Sequence, residues 1–464
     1  MFWLKKKNYL CSHSYSVDYS LHTKHFAMKK KILSLAVAVA MLGMFASCSS
    51  DDPKSPTPNP DPDPDPVVVP GEDLTAKEYS GTSATVTMGD APVAGQIVKF
   101  TPGTEPKLTI ESEPINLSEL IGGVVAQSKA DGDIMLPTPG LIPGSPSVTI
   151  PLTLTGEADT CSFTGNTQTD YCTFNYTGAV GPNGVTLKIS DVKLKNTSLA
   201  GTYAVPTDYI GVDYIGVDDW GEPTIDDTRL FRIQWDSETK VMGAFPVSMI
   251  IRMALLMTTQ PDANGEAKPL PVLYANILKN VTFGEDGSVS AVYCDTDKEG
   301  WPEATAPKGI ASYVVKEDGT ALVFINPTAV IANVAANASK SRAIDMDAIM
   351  ATLINDVLPM CQNGVPVSYG PALVATDEYQ ETFAPSENPN AYSFYLGTDV
   401  LLPLLKVAAP IIADDDVINM IVEAAKQDPT MGGMADMLPS ILKTLPEIVD
   451  TTSKVEIGIN LDRQ

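Results

Sequence analysis

Histidine, the residue that most often carries acid–base chemistry, is confined to one end of this 464-residue chain. Its three histidines, His13, His22 and His25, precede an apolar run at residues 32–45. That run follows three lysines and ends at small residues before Cys48, a pattern typical of a secretory signal peptide. Cleavage before Cys48 leaves no histidine. This excludes histidine general bases, Ser-His or Cys-His nucleophile pairs and histidine-ligated zinc.

Carboxylates are the remaining candidates for chemistry. Hard oxygen ligands of this kind bind Ca²⁺, and four candidate ligands lie close together in the chain. These are Asp213, Asp218, Asp219 and Glu222. Their spacing matches no EF-hand, so a solvated acidic loop is the preferred interpretation, and Ca²⁺ is the one cofactor considered.

Two facing carboxylates could also hydrolyse a glycoside, but a sequence cannot show that separation. The chain has no Gly-x-Ser-x-Gly motif and no P-loop. We therefore expect no enzyme activity, and a carboxylate-based glycoside hydrolase is the least favoured alternative.

The charge balance argues against a nucleic-acid partner. The chain has 31 Lys and Arg against 57 Asp and Glu, a formal charge of −26. Loss of residues 1–47 removes seven lysines and one aspartate, which leaves 24 basic and 56 acidic residues and a charge of −32. Phosphate binding needs a basic surface, so no nucleic-acid partner is expected.

The cysteines predict a cross-strand link. Cys161 and Cys172 flank residues 164–167, whose composition is typical of a hairpin turn. In an oxidising compartment a disulfide between them is the prediction, with two reduced buried thiols as the alternative. Cys294 and Cys361 lack metal spacing and are expected to be free core residues.

Two tryptophans are candidates for contact with a sugar. Trp220 and Trp301 lie among Gly, Asp, Glu and Pro, which favours exposure and stacking on a glycan. Trp235 lies in a strand-like segment and is expected in the core. Packing at the core or its rim is the alternative for all three residues.

Methionine and leucine residues on predicted helices indicate an apolar pocket. Met249, Met253 and Met257 are spaced at i, i+4 and i+8, and methionine adapts to irregular apolar partners. The candidate pocket residues are Met249, Met253, Met257, Met350, Leu401 and Leu404. The alternative is a helix packed against the outside of a sheet.

Periodicity predicts the elements that would position these residues. Alternating or β-branched strand patterns fill the first half of the chain, with a tight turn at Asn183-Gly184. The second half mixes two Asp-Gly hairpins with helical patterns at residues 245–258, 346–358, 400–408, 415–427 and 434–449. One more helix is expected at residues 117–126. The fold class is therefore mainly β with helical insertions, as two antiparallel barrel-like domains in tandem.

The N-terminal region resembles that of an anchored lipoprotein. Residues 45–48 resemble the bacterial lipobox, which makes Cys48 the lipid attachment site, although Phe45 stands where leucine is usual. Residues 49–52 resemble the Ser-plus-acid signal of surface-exposed Bacteroidetes lipoproteins, with a periplasm-facing anchor as the alternative. The proline-rich residues 53–70 predict an extended rod on the order of 50 Å long. The predicted organisation is leader and signal peptide at 1–47, anchor and linker at 48–70, all-β domain at 71–197 and barrel-like domain with amphipathic helices at 198–464.

The chain as a whole resembles a family of uncharacterised Bacteroides lipoproteins, domain of unknown function 4925, related to calycin-like lipoproteins. The similarity covers residues 28–464 and is carried by the lipobox, the Pro-rich stalk and residues 79–82, 147–152, 363–369, 392–396 and 401–405. The resemblance implies a barrel-type fold and an outer-membrane location, and it supplies no activity and no catalytic residues.

These observations together predict a monomeric surface lipoprotein that contacts the membrane through its anchor. Its expected role is to bind an apolar or amphipathic small ligand in the C-terminal domain. The alternative is an adhesion, assembly or glycan-binding surface subunit that uses sheet edges or exposed tryptophans.

Overall fold

Strands dominate the structure, a computed structural model that describes residues 70–116, 135–136, 138–206, 216–217, 223–224, 230–296, 298–306, 309–325, 363–375, 382–426 and 435–464. Within these ranges the chain is mainly β, with a closed eight-stranded antiparallel barrel and five α-helices. The predicted fold class is confirmed to that extent.

The N-terminal half forms two open sheets. Its strands are β1 Lys77–Tyr79, β2 Ala84–Met88, β3 Ala91–Val93, β4 Gln96–Thr101, β5 Lys107–Ser112, β6 Ile115–Asn116, β7 Met135–Leu136, β8 Ser147–Pro151, β9 Leu154–Gly156, β10 Cys161–Gln168, β11 Cys172–Gly181 and β12 Gly184–Leu194. One sheet has the order β1-β4-β5-β8, and the other has the order β3-β2-β12-β11-β10-β9. Alternate residues are buried along β10 and β11, as expected when one face of a sheet packs against a second sheet. A barrel in this half is not confirmed.

The C-terminal half contains the barrel. Its strands are β13 Gly201–Ala204, β14 Gly216–Val217, β15 Pro223–Thr224, β16 Phe231–Ser237, β17 Thr259–Pro261, β18 Ala267–Pro269, β19 Leu278–Phe283, β20 Ser288–Cys294, β21 Glu303–Thr305, β22 Ala311–Val315, β23 Ala321–Ile325, β24 Val365–Pro371, β25 Leu373–Ala375, β26 Phe383–Pro385, β27 Ala391–Leu396 and β28 Thr452–Arg463. The ring runs β13-β19-β20-β22-β23-β24-β27-β28, and β28 returns to β13. Every neighbouring pair in the ring is antiparallel.

Five helices accompany the barrel strands in the described residues. They are α1 Val247–Met257, α2 Leu270–Ile277, α3 Thr398–Ile412, α4 Asp415–Lys426 and α5 Leu438–Asp450. The helices predicted at 245–258, 400–408, 415–427 and 434–449 are confirmed as α1, α3, α4 and α5. Those predicted at 117–126 and 346–358 lie outside the described residues.

The two halves share one hydrophobic core. A single cluster of buried side chains includes Val98 and Leu187 from the N-terminal sheets as well as Tyr203 and Phe283 from the barrel. The backbone N–H of Leu194, at the end of β12, donates to the carbonyl of residue 285 at 2.9 Å. The described residues of both halves also fall in one compact unit. Two separate domains in tandem are therefore not confirmed.

Candidate functional site

The barrel wall changes its construction at β28. β28 pairs with β27 along one edge, and two strands share its other edge. β13 pairs with residues 462–463 and β16 pairs with residues 452–459. β13 continues the ring to β19, whereas β16 pairs with no second strand among the described residues. We call the interval between β16 and β19 the seam. At the seam, therefore, β16 and β19 are not joined by backbone hydrogen bonds.

Helix α1 covers the second edge of β16. The carbonyl of Leu230 accepts a hydrogen bond from the N–H of Asn460, so the backbone groups of odd-numbered residues of β16 point away from β28. One of them, the carbonyl of Ile233, accepts a hydrogen bond at 3.2 Å from Nη2 of Arg252, a residue that is 2% exposed. A buried strand edge needs such partners. Arg252 therefore satisfies one backbone group of this edge from the helix side.

Helix α2 covers the seam from the other side, where it contacts β19, β20 and α1. The ring of Tyr274 lies edge-on to the ring of Phe231 on β16, with centroids 5.8 Å apart. Burial raises the pKa of the Tyr274 hydroxyl to about 12. This hydroxyl is therefore protonated at neutral pH, and it can donate a hydrogen bond to the polar group of a ligand.

The barrel interior is apolar, and aromatic rings fill one end of it. The rings belong to Tyr203, Phe283, Tyr313, Tyr369, Tyr392 and Phe394. Phe394 on β27 stacks on Phe283 on β19 at 5.5 Å, although two strands separate β27 from β19 in the ring. Only side chains that point inward can meet in this way.

Helices close the opposite end. A second buried cluster joins Trp235 and Val455, which pair on β16 and β28, to Val247 of α1, Leu401 of α3 and Ile448 of α5. The indole Nε1 of Trp235 donates to Oγ1 of Thr452 at 2.8 Å, so its one polar atom is satisfied inside the cluster. The interior therefore runs from the aromatic rings, past the seam, to this helical end.

The predicted pocket residues are only partly brought together. Leu401 lies in the helical cluster, but Leu404 on α3 and Met249 and Met253 on α1 are half-buried outside it. The α1 residues that pack there are Val247, Ile250 and Ile251. Met257 ends α1. Met350 lies outside the described residues.

The predicted disulfide is wrong. Cys161 and Cys172 are free and buried, which is the alternative stated above. The hairpin reverses at residues 169–171 rather than at 164–167, so Cys161 lies opposite Val180 and Cys172 lies opposite Leu194. The two thiols bond separately, Cys161 Sγ to the Glu157 carbonyl at 3.0 Å and Cys172 Sγ to the Pro143 carbonyl at 3.6 Å.

Both thiols are expected to resist alkylation in the folded chain. Burial raises the pKa of the Cys161 thiol, and it raises the pKa of the Cys172 thiol to about 11, so little thiolate forms at neutral pH. Iodoacetamide labelling counted by mass spectrometry should find both cysteines unlabelled in buffer and both labelled in urea without reductant. Half-buried Cys294 is the internal control and should label first. A pair that urea alone leaves unlabelled would restore the disulfide.

Trp301 is the one sugar-stacking candidate that the structure describes. It is half-buried and belongs to none of the three buried clusters given for the described residues. Its φ is +47°, a conformation that bulky residues rarely adopt. Trp220 and the Ca²⁺ candidates Asp213, Asp218, Asp219 and Glu222 lie outside the described residues, as does Cys48. In the part of the chain that is described, no three His, Cys, Asp or Glu side chains are placed to hold a metal.

Sequence reasoning missed α2 and therefore the seam. The segment has prolines at Pro269 and Pro271 and is only eight residues long, so no helical stripe is visible in it. Proline in the first turn was the signal that could have revealed α2. The N–H groups of the first turn have no partner within a helix, so proline, which lacks an N–H, is tolerated there.

Comparison with known proteins identifies no relative, since no protein-family model, curated protein or solved structure matches the chain. Among the described helices, none combines the length and hydrophobicity needed to span a bilayer.

Proposed function

We propose that the chain is a lipid-anchored, non-enzymatic binding protein whose barrel takes up one apolar or amphipathic small molecule through the seam. The observation that carries this proposal is an apolar barrel interior whose wall at the seam consists of α1 and α2. Barrels of eight strands have an interior just wide enough to be filled by side chains or to hold one small ligand. This arrangement is compatible with the calycin-like class that the sequence resembles.

The two seam helices are suited to open. α1 has 11 residues and α2 has eight, and each follows a proline, Pro246 or Pro269, without a side-chain cap. Helices this short are marginal in isolation, so packing against the barrel holds them in place. Five of the eight α2 residues are buried, so its opening requires that a ligand replace the contacts that are lost. Outward movement of the two helices would present Phe231 and Tyr274 to a ligand.

The lining of the seam sets the class of ligand. The strands beside the seam carry partly buried apolar residues, Phe231 on β16 and Leu278 and Val281 on β19. These side chains would contact the hydrocarbon part of a ligand. The Tyr274 hydroxyl would donate a hydrogen bond to one polar group. A fatty acid or a long-chain alcohol has this combination of an apolar body and one acceptor.

The anchor supports a location for this activity. We propose that Cys48 is acylated and that the protein belongs to the lipoprotein family it resembles, at the outer face of the outer membrane. The lipobox-like residues 45–48 and the Pro-rich stalk support this proposal. Acylation of Cys48 would be checked by the mass of the N-terminal peptide.

Binding of cis-parinaric acid, a fluorescent fatty acid, tests the function. The mature chain is expected to bind it with 1:1 saturation and a Kd in the micromolar range. Tyr274→Phe should weaken this binding about 3- to 10-fold, because a hydrogen bond contributes about 0.5–1.5 kcal/mol. The same variant should leave binding of N-phenyl-1-naphthylamine, which has no carboxylate, unchanged.

Tyr395→Phe is the matched control, because its ring lies on the outer face of the barrel beside Arg232. Absence of saturable binding by either probe would overturn the proposal, and so would equal effects of the two substitutions. Glycan binding that Trp301→Ala abolishes would instead favour the adhesion role, for which the partial exposure of Trp301 is the supporting observation.

A further inference from the structure

One strand of the six-stranded N-terminal sheet has a long open edge. β9 pairs with β10 only from Cys161 to Phe163, so β10 continues from residue 164 to Gln168 with no strand beside it among the described residues. Five residues of strand are about 17 Å long. We call residues 164–168 the open edge.

The backbone groups of this edge point outward. The N–H of Thr169 donates to the carbonyl of Cys172 at 2.8 Å, so the odd-numbered residues of β10 bond to β11. On the other side, the carbonyl of Thr160 accepts from Glu157 in the β9–β10 turn, so the even-numbered residues face β9. The N–H and C=O groups of Thr164, Asn166 and Gln168 therefore point away from the sheet. Three donors and three acceptors lie in one row.

Other sheet edges in this protein carry features that discourage pairing. β1 and β3 are three residues long, with Lys77 in one and Pro92 in the other, and β8 ends at Pro151. The edge of β16 is covered by α1. Short length, proline, lysine and covering elements are the usual protections against strand addition. The open edge has no lysine, no proline and no bulge, so it lacks these protections.

Polar side chains surround the open edge. Beside it, on the exposed face of the sheet, lies a groove of about 540 Å³ lined by Asn166, Thr167, Gln168, Thr173, Phe174, Asn175, Asp191 and Lys193. Asp191 adopts a φ of +51° at an irregularity in the β11–β12 pairing, and it accepts a hydrogen bond at 2.8 Å from Nδ2 of Asn175. Side chains of an added strand would meet amides and hydroxyls here.

We propose that the open edge binds an extended segment of a partner protein by strand addition, which goes beyond ligand uptake by the barrel. The length of the edge favours a single short segment. β9 limits the edge at one end and the turn at residues 169–171 limits it at the other. If a second copy of β10 paired with this edge, the turn of that copy would collide with β9. Charges at the edge are balanced, because Lys193 and Asp191 both line the groove and Lys195 Nζ donates to the carbonyl of Thr169, next to exposed Asp170, at 2.6 Å. An uncharged segment therefore fits best.

The probe is a seven-residue synthetic peptide of alternating threonine and valine with a lysine at each end. Amide hydrogen exchange on the mature chain would be followed by NMR. Saturating peptide should slow exchange of the Thr164, Asn166 and Gln168 amides about tenfold or more, while the β11-bonded amides of Gly165 and Thr167 stay as slow as before.

Asn166→Pro removes the central outward donor without touching the ladder to β11, and proline is tolerated at such edge positions. It should weaken peptide binding about tenfold, whereas the matched variant Asn166→Thr, which keeps the N–H, should bind like the parent. Unchanged exchange at the three amides of the parent chain would overturn the proposal, whatever the proline variant does. Protection of the same amides by concentration-dependent dimerisation, without peptide, would also overturn it and make a second copy the occupant.

Discussion

Gly458→Ala should destabilise the barrel by about 3 kcal/mol or more, at the upper end of the cost of overpacking. Gly458 lies in β28 opposite Tyr395 on one side and Arg232 on the other. A Cβ at this position would lie 2.0 Å from the carbonyl oxygen of Phe394 and 2.5 Å from the Cα of Tyr395. These are backbone atoms, so the clash can be relieved only by moving β27 away from β28.

The effect reaches further than one pair of strands. β28 bonds to β27, β16 and β13, so its displacement disturbs both the ring closure and the strand that borders the seam. Urea unfolding followed by circular dichroism would measure the loss. The variant should also lose binding of cis-parinaric acid if the barrel holds the ligand.

Gly370→Ala is the matched control. Gly370 lies in β24, and a Cβ added there would meet no atom within 4 Å. Its free energy of unfolding should change by no more than about 0.5 kcal/mol, the usual range for a surface substitution. Equal losses in the two variants would show that loss of glycine itself, rather than the β27–β28 contact, sets the stability.

Local signals predicted most elements of the fold. The two barrel hairpins turn at Asp-Gly pairs, and Gly287 and Gly319 have φ values of +82° and +84°, the conformation for which glycine is suited. The turn after β11 was predicted one residue late, because it occupies Pro182 and Asn183 between the paired Gly181 and Gly184. These features depend on a few adjacent residues, so the sequence contains the information directly.

Features that depend on register or on distant partners could not be predicted in the same way. The hairpin of Cys161 and Cys172 was recognised, but a turn placed about four residues early changed the cross-strand partner of Cys161 from Val180 to Cys172. Side-chain pairing across a ladder follows the turn position, so a small error there changes which residues meet.

The candidate site illustrates the same limit. The methionine stripe of α1 was visible from its spacing, but the face of a helix that packs is set by what lies beneath it. Here β16 and Arg252 fix that face, and Val247, Ile250 and Ile251 pack instead of Met249 and Met253. The seam exists because β28 pairs with both β13 and β16, and each of these pairings joins residues more than 200 positions apart in the chain.

The buried ion pair on the outer face of β16 and β28 leads to the second large prediction. Nε of Arg232 donates to Oε2 of Glu456 at 3.0 Å and Nη2 makes a second bond to the same oxygen, while the guanidinium stacks 4.1 Å from the centre of the Tyr395 ring. The two side chains are only 6% and 13% exposed. Removing one partner leaves the other charge poorly solvated, which typically costs about 3–5 kcal/mol.

Glu456→Leu should destabilise the chain by about 3–5 kcal/mol. Arg232→Met should cost less, because Lys454 Nζ still lies 3.3 Å from Oε1 of Glu456. The double variant should recover most of the larger loss, because the charge that then lacks a carboxylate partner, Lys454, is partly exposed. A double-mutant cycle on the free energy of unfolding in urea would measure the coupling. Lys188→Met is the control, since its pair with Asp90 is exposed and its loss should barely change stability. If the double variant were as unstable as the sum of its single variants, the pair would stabilise the barrel by packing rather than by charge. The stability of the strand that borders the seam would then depend on the stems of these side chains and on the Tyr395 ring.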